Sequence, residues 1–178
     1  MLKLHDIVRA QQHLSPFITP TPLIFSQALS EQSGVNVWLK LEVCQPTGSF
    51  KVRGALHKLM ALAGQAEQTG VVTASAGNHG LGVAFAAQKL GLTNATVFVP
   101  QSAPTAKVAK LRRFPIQLKQ AGQTYEDAHQ AAEEFARQSG ATYISAYDDP
   151  QVIAGAGTCG LEIITALPQA DAVIVPIG

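Results

Sequence analysis

Charge is what this sequence has least of. Charged side chains make up 14% of its 178 residues, against about 25% in an ordinary domain. Lys and Arg total 13 and Asp and Glu total 12, a formal charge of +1. Nucleic acids and anionic membranes are bound by concentrated basic faces, so neither partner is expected, and no acidic or basic disordered tail is present. Cysteine is scarce too: Cys44 and Cys159 are too few for a disulfide scaffold and lack metal-ligand spacing. They read as reduced thiols of a cytoplasmic protein. The start resembles no signal peptide, because Lys3, His5, Asp6, Arg9 and His13 are mixed among its apolar residues. Uncharged stretches such as residues 70–88 are broken by Asn78, His79 and several glycines, so none reads as a membrane span.

What is present is a 47% hydrophobic chain long enough for one domain, or two small ones sharing a boundary. Val35, Val37, Leu39 and Leu41 alternate with Asn36, Trp38 and Lys40, the period-2 pattern of a strand. Short β-type runs recur at residues 71–74, 96–99, 116–118, 142–144 and 172–175. Helical stretches lie between them, near residues 53–63, 81–90, 104–113, 125–138 and 152–167. The clearest has Tyr125, Ala128, Ala132, Phe135 and Ala136 on one face, Thr124 as N-cap, Asp127 three residues on, and Gly140 past its end. Strands alternating with helices predict an α/β fold built on a parallel sheet. The final residues, 171–178, read as a buried strand that reaches its carboxyl end where the sequence stops. Open α/β sheets bind ligands at those ends, so the chain reads as cut short.

Three segments could carry chemistry. The first runs Lys40-Leu41-Glu42-Val43-Cys44-Gln45-Pro46-Thr47-Gly48-Ser49-Phe50-Lys51-Val52-Arg53-Gly54-Ala55, from a strand through a turn into a helix starting near Lys51. The positive end of a helix dipole helps depress a lysine pKa, as a lysine nucleophile requires. By spacing alone, a solvated first-turn lysine is the simpler explanation. The second is Thr73-Ala74-Ser75-Ala76-Gly77-Asn78-His79-Gly80-Leu81-Gly82, between a strand and a helix. Its backbone N–H groups could hold a carboxylate or phosphate. The glycines fall as G-x-x-G-x-G rather than G-x-G-x-x-G, so a dinucleotide site is weakly supported. A tight turn and a hydrogen-bonded structural His79 are the plain alternatives, and His57 carries no assignment. The third, residues 147–158, begins a helix at Asp149-Pro150. Gly155, Gly157 and Gly160 within it suggest that another backbone or a ligand comes close. Asp148 and Asp149 read as a solvated neighbour and a cap, not an acid–base pair.

Together these segments resemble the fold-type-II pyridoxal-phosphate enzymes, most closely the threonine/serine dehydratases and serine racemases. Residues 40–55 are similar to the cofactor-lysine segment, and Ser75-Ala76-Gly77-Asn78-His79-Gly80 to the substrate-carboxylate loop. Asp148-Asp149-Pro150 to Gly155, with Gly157-Thr158 and Leu161-Glu162-Ile163, is similar to the next family segment, and residues 98–107 also fit. The resemblance implies a tryptophan-synthase-β-like, three-layer fold with a parallel sheet. It implies that Lys51 forms the Schiff base with pyridoxal phosphate, Phe50 packs on the cofactor ring and Asn78 bonds the ring hydroxyl. Ser75, Ala76, Gly77, Asn78 and His79 would hold the substrate carboxylate. Lys51 would then remove the Cα proton, with β-elimination from a small hydroxy amino acid such as threonine or serine. In the racemases a serine matching Ser75 works on the opposite ring face. The cysteine synthases have threonine where His79 stands, and tryptophan synthase β chains have histidine where Phe50 stands.

This chain departs from the dehydratases at Gly80-Leu81-Gly82, where Ala-Gln-Gly is common, and at Ala156, where glutamine is common. Both departures bear on the substrate. Val175-Pro176-Ile177-Gly178 is similar to the lead-in of the family's glycine-rich phosphate loop. The resemblance therefore implies an N-terminal portion: residues 66–147 as a small αβ domain, with 1–65 and 148–178 as pieces of the large, cofactor-binding domain. It also implies a homodimer. The expectation from a different class is a non-catalytic αβ remnant without a working cofactor site. A sheet cut at this place would expose apolar faces and strand edges that favour association.

Overall fold

The structure, a computed structural model, describes residues 2–62 and 64–176. In chain order its elements are α1 (Leu4–Leu14), β1 (Leu23–Phe25), α2 (Gln27–Ser33), β2 (Trp38–Lys40), a 3-10 turn (Glu42–Cys44), α3 (Lys51–Ala61) and α4 (Gln65–Thr69). There follow β3 (Val71–Ala74), α5 (Asn78–Lys89), β4 (Ala95–Val99), α6 (Thr105–Leu111), β5 (Gln117–Gln120), α7 (Tyr125–Ser139), β6 (Thr142–Tyr143) and α8 (Pro150–Ala166). Four strands form a parallel sheet in the order β5-β4-β3-β6. The central pair, β3 and β4, is buried at every position, which is why both read as continuous apolar runs.

The period-2 rule sorts the two faces of this sheet. Val72, Ala74 and Phe98 pack on Ala128 and Ala132 of α7. On the other face Val97 and Val99 meet Ala84 of α5 and Val108 and Leu111 of α6, while Val71 and Ala95 meet α5 and Leu56 and Leu59 of α3. Helix, sheet and helix thus make three layers. From β3 the chain moves out through β4 and β5, then returns to β3's other side as β6. The strand order reverses at β3, so the crevice beyond its carboxyl end is where a ligand is expected.

The helix signals at Thr124 and Asp149 hold. Thr124 accepts from the Asp127 N–H, Asp127 bonds back to Thr124, and Gly140 ends α7 with φ +74°. Asp149 accepts from the N–H groups of Gln151 and Val152. Gly155 of α8 has the close neighbour its presence suggested: a Cβ there would lie 2.6 Å from the Arg53 carbonyl and 2.9 Å from Gly54 Cα of α3. A Cβ on Gly157 would meet the Ile7 side chain of α1, whereas Gly160 faces open space.

Several expectations are corrected. The strand expected over residues 35–41 is confined to Trp38–Lys40 and pairs antiparallel with β1, in a hairpin apart from the parallel sheet. Residues 172–175 form no strand and are exposed, Ile174 by 94%. An apolar run becomes a strand only beside a partner that takes its hydrogen bonds, and no described strand runs alongside. Ile177 and Gly178, the end of the phosphate-loop lead-in, lie outside the described residues, as does Ala63 at the end of the expected 53–63 helix. The 3-10 turn, strand β1 and helices α1, α2 and α4 were not anticipated.

Candidate active site

Lys51 is the first residue of α3, and its backbone N–H donates to Ser49 Oγ at 3.2 Å. Its Nζ donates to the Ala146 carbonyl at 3.2 Å and sits between two aromatic rings, 5.1 Å from the Phe50 centroid and 5.0 Å from that of Tyr147. Burial pushes the amine below the ordinary lysine value. The helix N-terminus it starts from acts in the same direction. A desolvated lysine with no carboxylate partner among the described residues enriches the neutral, nucleophilic form.

Across from Lys51 lies the turn that leaves β3. Ser75 Oγ accepts from the Gly77 N–H at 3.1 Å, tightening the turn before α5 begins at Asn78. Gly80 is required here, because a Cβ would fall inside the van der Waals shell of the Ser75 carbonyl. His79 is 4% exposed, and its Nε2 donates to the Ile144 carbonyl at 3.2 Å. Burial pushes this imidazole down to about 4; the bond to Ile144 opposes the shift and the charge of Lys51 adds to it. The ring is therefore neutral at physiological pH.

These groups surround a cavity of about 240 Å³ lined by Lys51, Ser75, Gly77, Asn78, His79, Tyr125 and Tyr147, together with Ala74 and Ala146. It opens at the carboxyl ends of β3 and β6, where the strand order reverses. Of the residues expected at the site, Lys51, Ser75, Gly77, Asn78 and His79 line it. Phe50 flanks it through Lys51. Ala76 does not: it packs against the cluster of Ala84, Val97 and Val99. Sequence reasoning missed Tyr125, at the start of α7, and Tyr147, at the end of the segment that follows β6. The one trace of Tyr147 was its place directly before the Asp148-Asp149-Pro150 motif.

Behind the site lies a second feature the sequence did not disclose. Arg53, 1% exposed, is bound by Glu42 at 2.8 Å and by Glu162 at 2.6 Å, and donates to Thr158 Oγ1 at 3.0 Å. Lys40 reaches Glu162 at 2.6 Å and Thr21 Oγ1 donates to Glu42 at 2.5 Å. Burial pushes Glu42 up, but the hydrogen bonds from Arg53 and Thr21 outweigh it and hold the carboxyl below the usual range. The network joins β2, the 3-10 turn, α3 and α8, and so fixes the helix that presents Lys51.

The chain belongs to the pyridoxal-phosphate dependent enzyme family, which matches residues 14–178. It is 43% identical over 178 residues to an L-threonine ammonia-lyase of Thermotoga maritima, covering all of this chain and 44% of that protein. Among solved structures it superposes on a maize serine racemase with a TM-score of 0.90 at 29% identity, covering 96% of this chain and 51% of that one. On the processed form of threonine deaminase isoform 2 from Solanum lycopersicum the TM-score is 0.86 at 36% identity, covering 92% and 44%. The chain thus spans about half the length of the relatives it matches. Family and relatives imply pyridoxal phosphate as the cofactor. The side chains at the cavity suit such a group: a desolvated amine, an aromatic face beside it, and a loop of N–H and hydroxyl donors opposite.

Proposed function

We propose that this chain supplies the lysine half of a pyridoxal-phosphate-dependent ammonia-lyase that dehydrates and deaminates a small hydroxy amino acid such as threonine or serine. The observation that carries the reading is the Lys51 amine, desolvated and facing the Ser75–His79 loop at the sheet's switch point. Pyridoxal phosphate, when bound, supplies an aldehyde for condensation with amines and a ring that accepts the electrons left at Cα. The remaining work falls to the chain's own residues. Lys51, in its neutral form, takes the Cα proton. Ser75 Oγ and the N–H groups that start α5 hold the substrate carboxylate. Asn78 offers its amide to the ring hydroxyl, and Phe50 covers the ring.

A racemase reading rests on one observation: Ser75 Oγ lines the cavity opposite Lys51 and could return a proton to the other face of Cα. We further propose that residues 66–147, which hold all four strands of the parallel sheet, form the small domain, and that 1–65 and 148–178 belong to the large one. The relatives' class supports a homodimer, and the two free thiols, Cys44 and Cys159, suit the cytoplasm.

The test is to incubate the purified chain with pyridoxal phosphate, reduce with borohydride and map the adduct by peptide mass, with Lys51→Ala as control. A single adduct at Lys51, absent from the control, is expected. Scattered labelling, or none, would leave a non-catalytic remnant as the better reading.

A further inference from the structure

Ile144 is held by three hydrogen bonds: its N–H donates to the Val72 carbonyl at 2.8 Å, and its own carbonyl accepts from Thr73 Oγ1 at 2.9 Å and from His79 Nε2 at 3.2 Å. A carbonyl only accepts, so the proton of the neutral imidazole is on Nε2. Nδ1 is then bare, buried and without a hydrogen-bond partner among the described residues. Leaving such an acceptor unpaired is unfavourable, and a buried orphan calls for an explanation.

The explanation lies two residues further along. The segment anchored at Ile144 carries the Ala146 carbonyl that receives Lys51 Nζ and the Tyr147 ring that lies over it. A lysine or arginine in place of His79 would bring a second positive charge beside Lys51. A leucine would leave Ile144 with one donor. A neutral histidine supplies the donor without the charge.

We infer that His79 is a positioning residue: by pinning the Ile144 carbonyl it fixes the Ala146 carbonyl and the Tyr147 ring against the Lys51 amine. The inference rests on the reading of Lys51 as the reactive amine. The titratable groups facing that amine are His79 from α5, Tyr125 from α7 and Tyr147 from the segment after β6. Freeing the segment admits water to Lys51 and lets its pKa climb back toward the ordinary value.

Trace labelling with acetic anhydride across a pH series, with Lys51 read by peptide mass, measures that pKa with no cofactor present. In His79→Ala the Lys51 midpoint is expected to rise, with tenfold less neutral amine at pH 7 for each unit. In His79→Gln, whose amide can reach the same carbonyl, it should stay near the wild-type value. A lower melting temperature in His79→Ala with an unmoved midpoint would overturn the inference, as would a folded His79→Gln that behaves like the alanine variant. Should the alanine variant not fold, nitrogen NMR of the unaltered protein decides. The expected result is a proton held on Nε2 from pH 8 down to pH 5; an Nδ1 proton, or titration near the ordinary histidine value, refutes it. The two readings fail separately. A selective pyridoxal-phosphate adduct with an unmoved midpoint sinks the role of His79 alone, and a moved midpoint without the adduct sinks the role of Lys51 alone.

Discussion

Lys51 and the loop from Ser75 to His79 were legible in the sequence because each sits at a junction that sequence marks well: a turn rich in Pro, Gly and Ser before a helix, and a Gly-punctuated turn after an apolar strand. The approach of Lys51 to the Ala146 carbonyl it donates to was not, since 95 residues separate the two. Tyr125 and Tyr147 escaped notice for the same reason. Each is unremarkable in its own segment and becomes part of the site only when β6 returns beside β3. Gly80 gives the test at this scale. Gly80→Ala forces a Cβ against the Ser75 carbonyl, so the turn must shift or the helix must move. Overpacking of this kind costs about 1–3 kcal/mol, and calorimetry should show a melting temperature lower by several degrees. Labelling of Lys51 by pyridoxal phosphate should weaken as well. An unchanged melting temperature would mean that the turn is free to relax.

The elements were read with unequal success, and the reasons are physical. α7 and α8 announced themselves through caps whose side chains make the bonds that their sequence positions suggested. α1 hid because Lys3 gives it no side-chain cap, and its buried Ala10 and Leu14 take on meaning only once α8 packs beside it. β1 is three residues long, too short for alternation to show. The Arg53 network was invisible because its members lie at residues 21, 40, 42, 53, 158 and 162, a set that only the packing of α3 on α8 assembles. Its stability is testable. Arg53→Ala strips the buried Glu42 and Glu162 of their partner, and breaking a buried pair in this way costs about 3–5 kcal/mol. Urea unfolding should show the loss. Arg53→Met together with Lys40→Met, Glu42→Gln and Glu162→Gln should recover part of it, because no charge of the network is then stranded. If Arg53→Ala unfolds at the wild-type urea concentration, the network is not structural.

At the level of the whole molecule, the groups just described set how stability depends on pH. A histidine whose folded pKa lies below its unfolded value binds its proton in the unfolded chain first. His79 therefore contributes stability that is fully present above its unfolded value of 6.5 and is lost as pH falls to about 4. His57, lowered by burial and by the nearby charge of His13 against the opposing bond to Gln151, acts in the same direction. Glu42 and Asp149, both held below their ordinary values, keep their contribution to lower pH and lose it as pH falls through their folded pKa. Unfolding free energies measured from pH 8 downward should thus decline in two stages. The upper stage is worth up to roughly 3 kcal/mol from His79 and should be largely flattened in His79→Gln. A flat profile between pH 6.5 and 4 would contradict the burial of this ring.

The bond from Lys51 to Ala146 has one more consequence, and it concerns time. During synthesis the lysine leaves the ribosome long before the segment that takes it out of water, so the nascent amine is chemically one lysine among several. It becomes distinct only when residues 144–147 settle across the sheet. What sets this amine apart is therefore acquired only once the segment after β6 has folded into place, and until then the lysine reacts like any other.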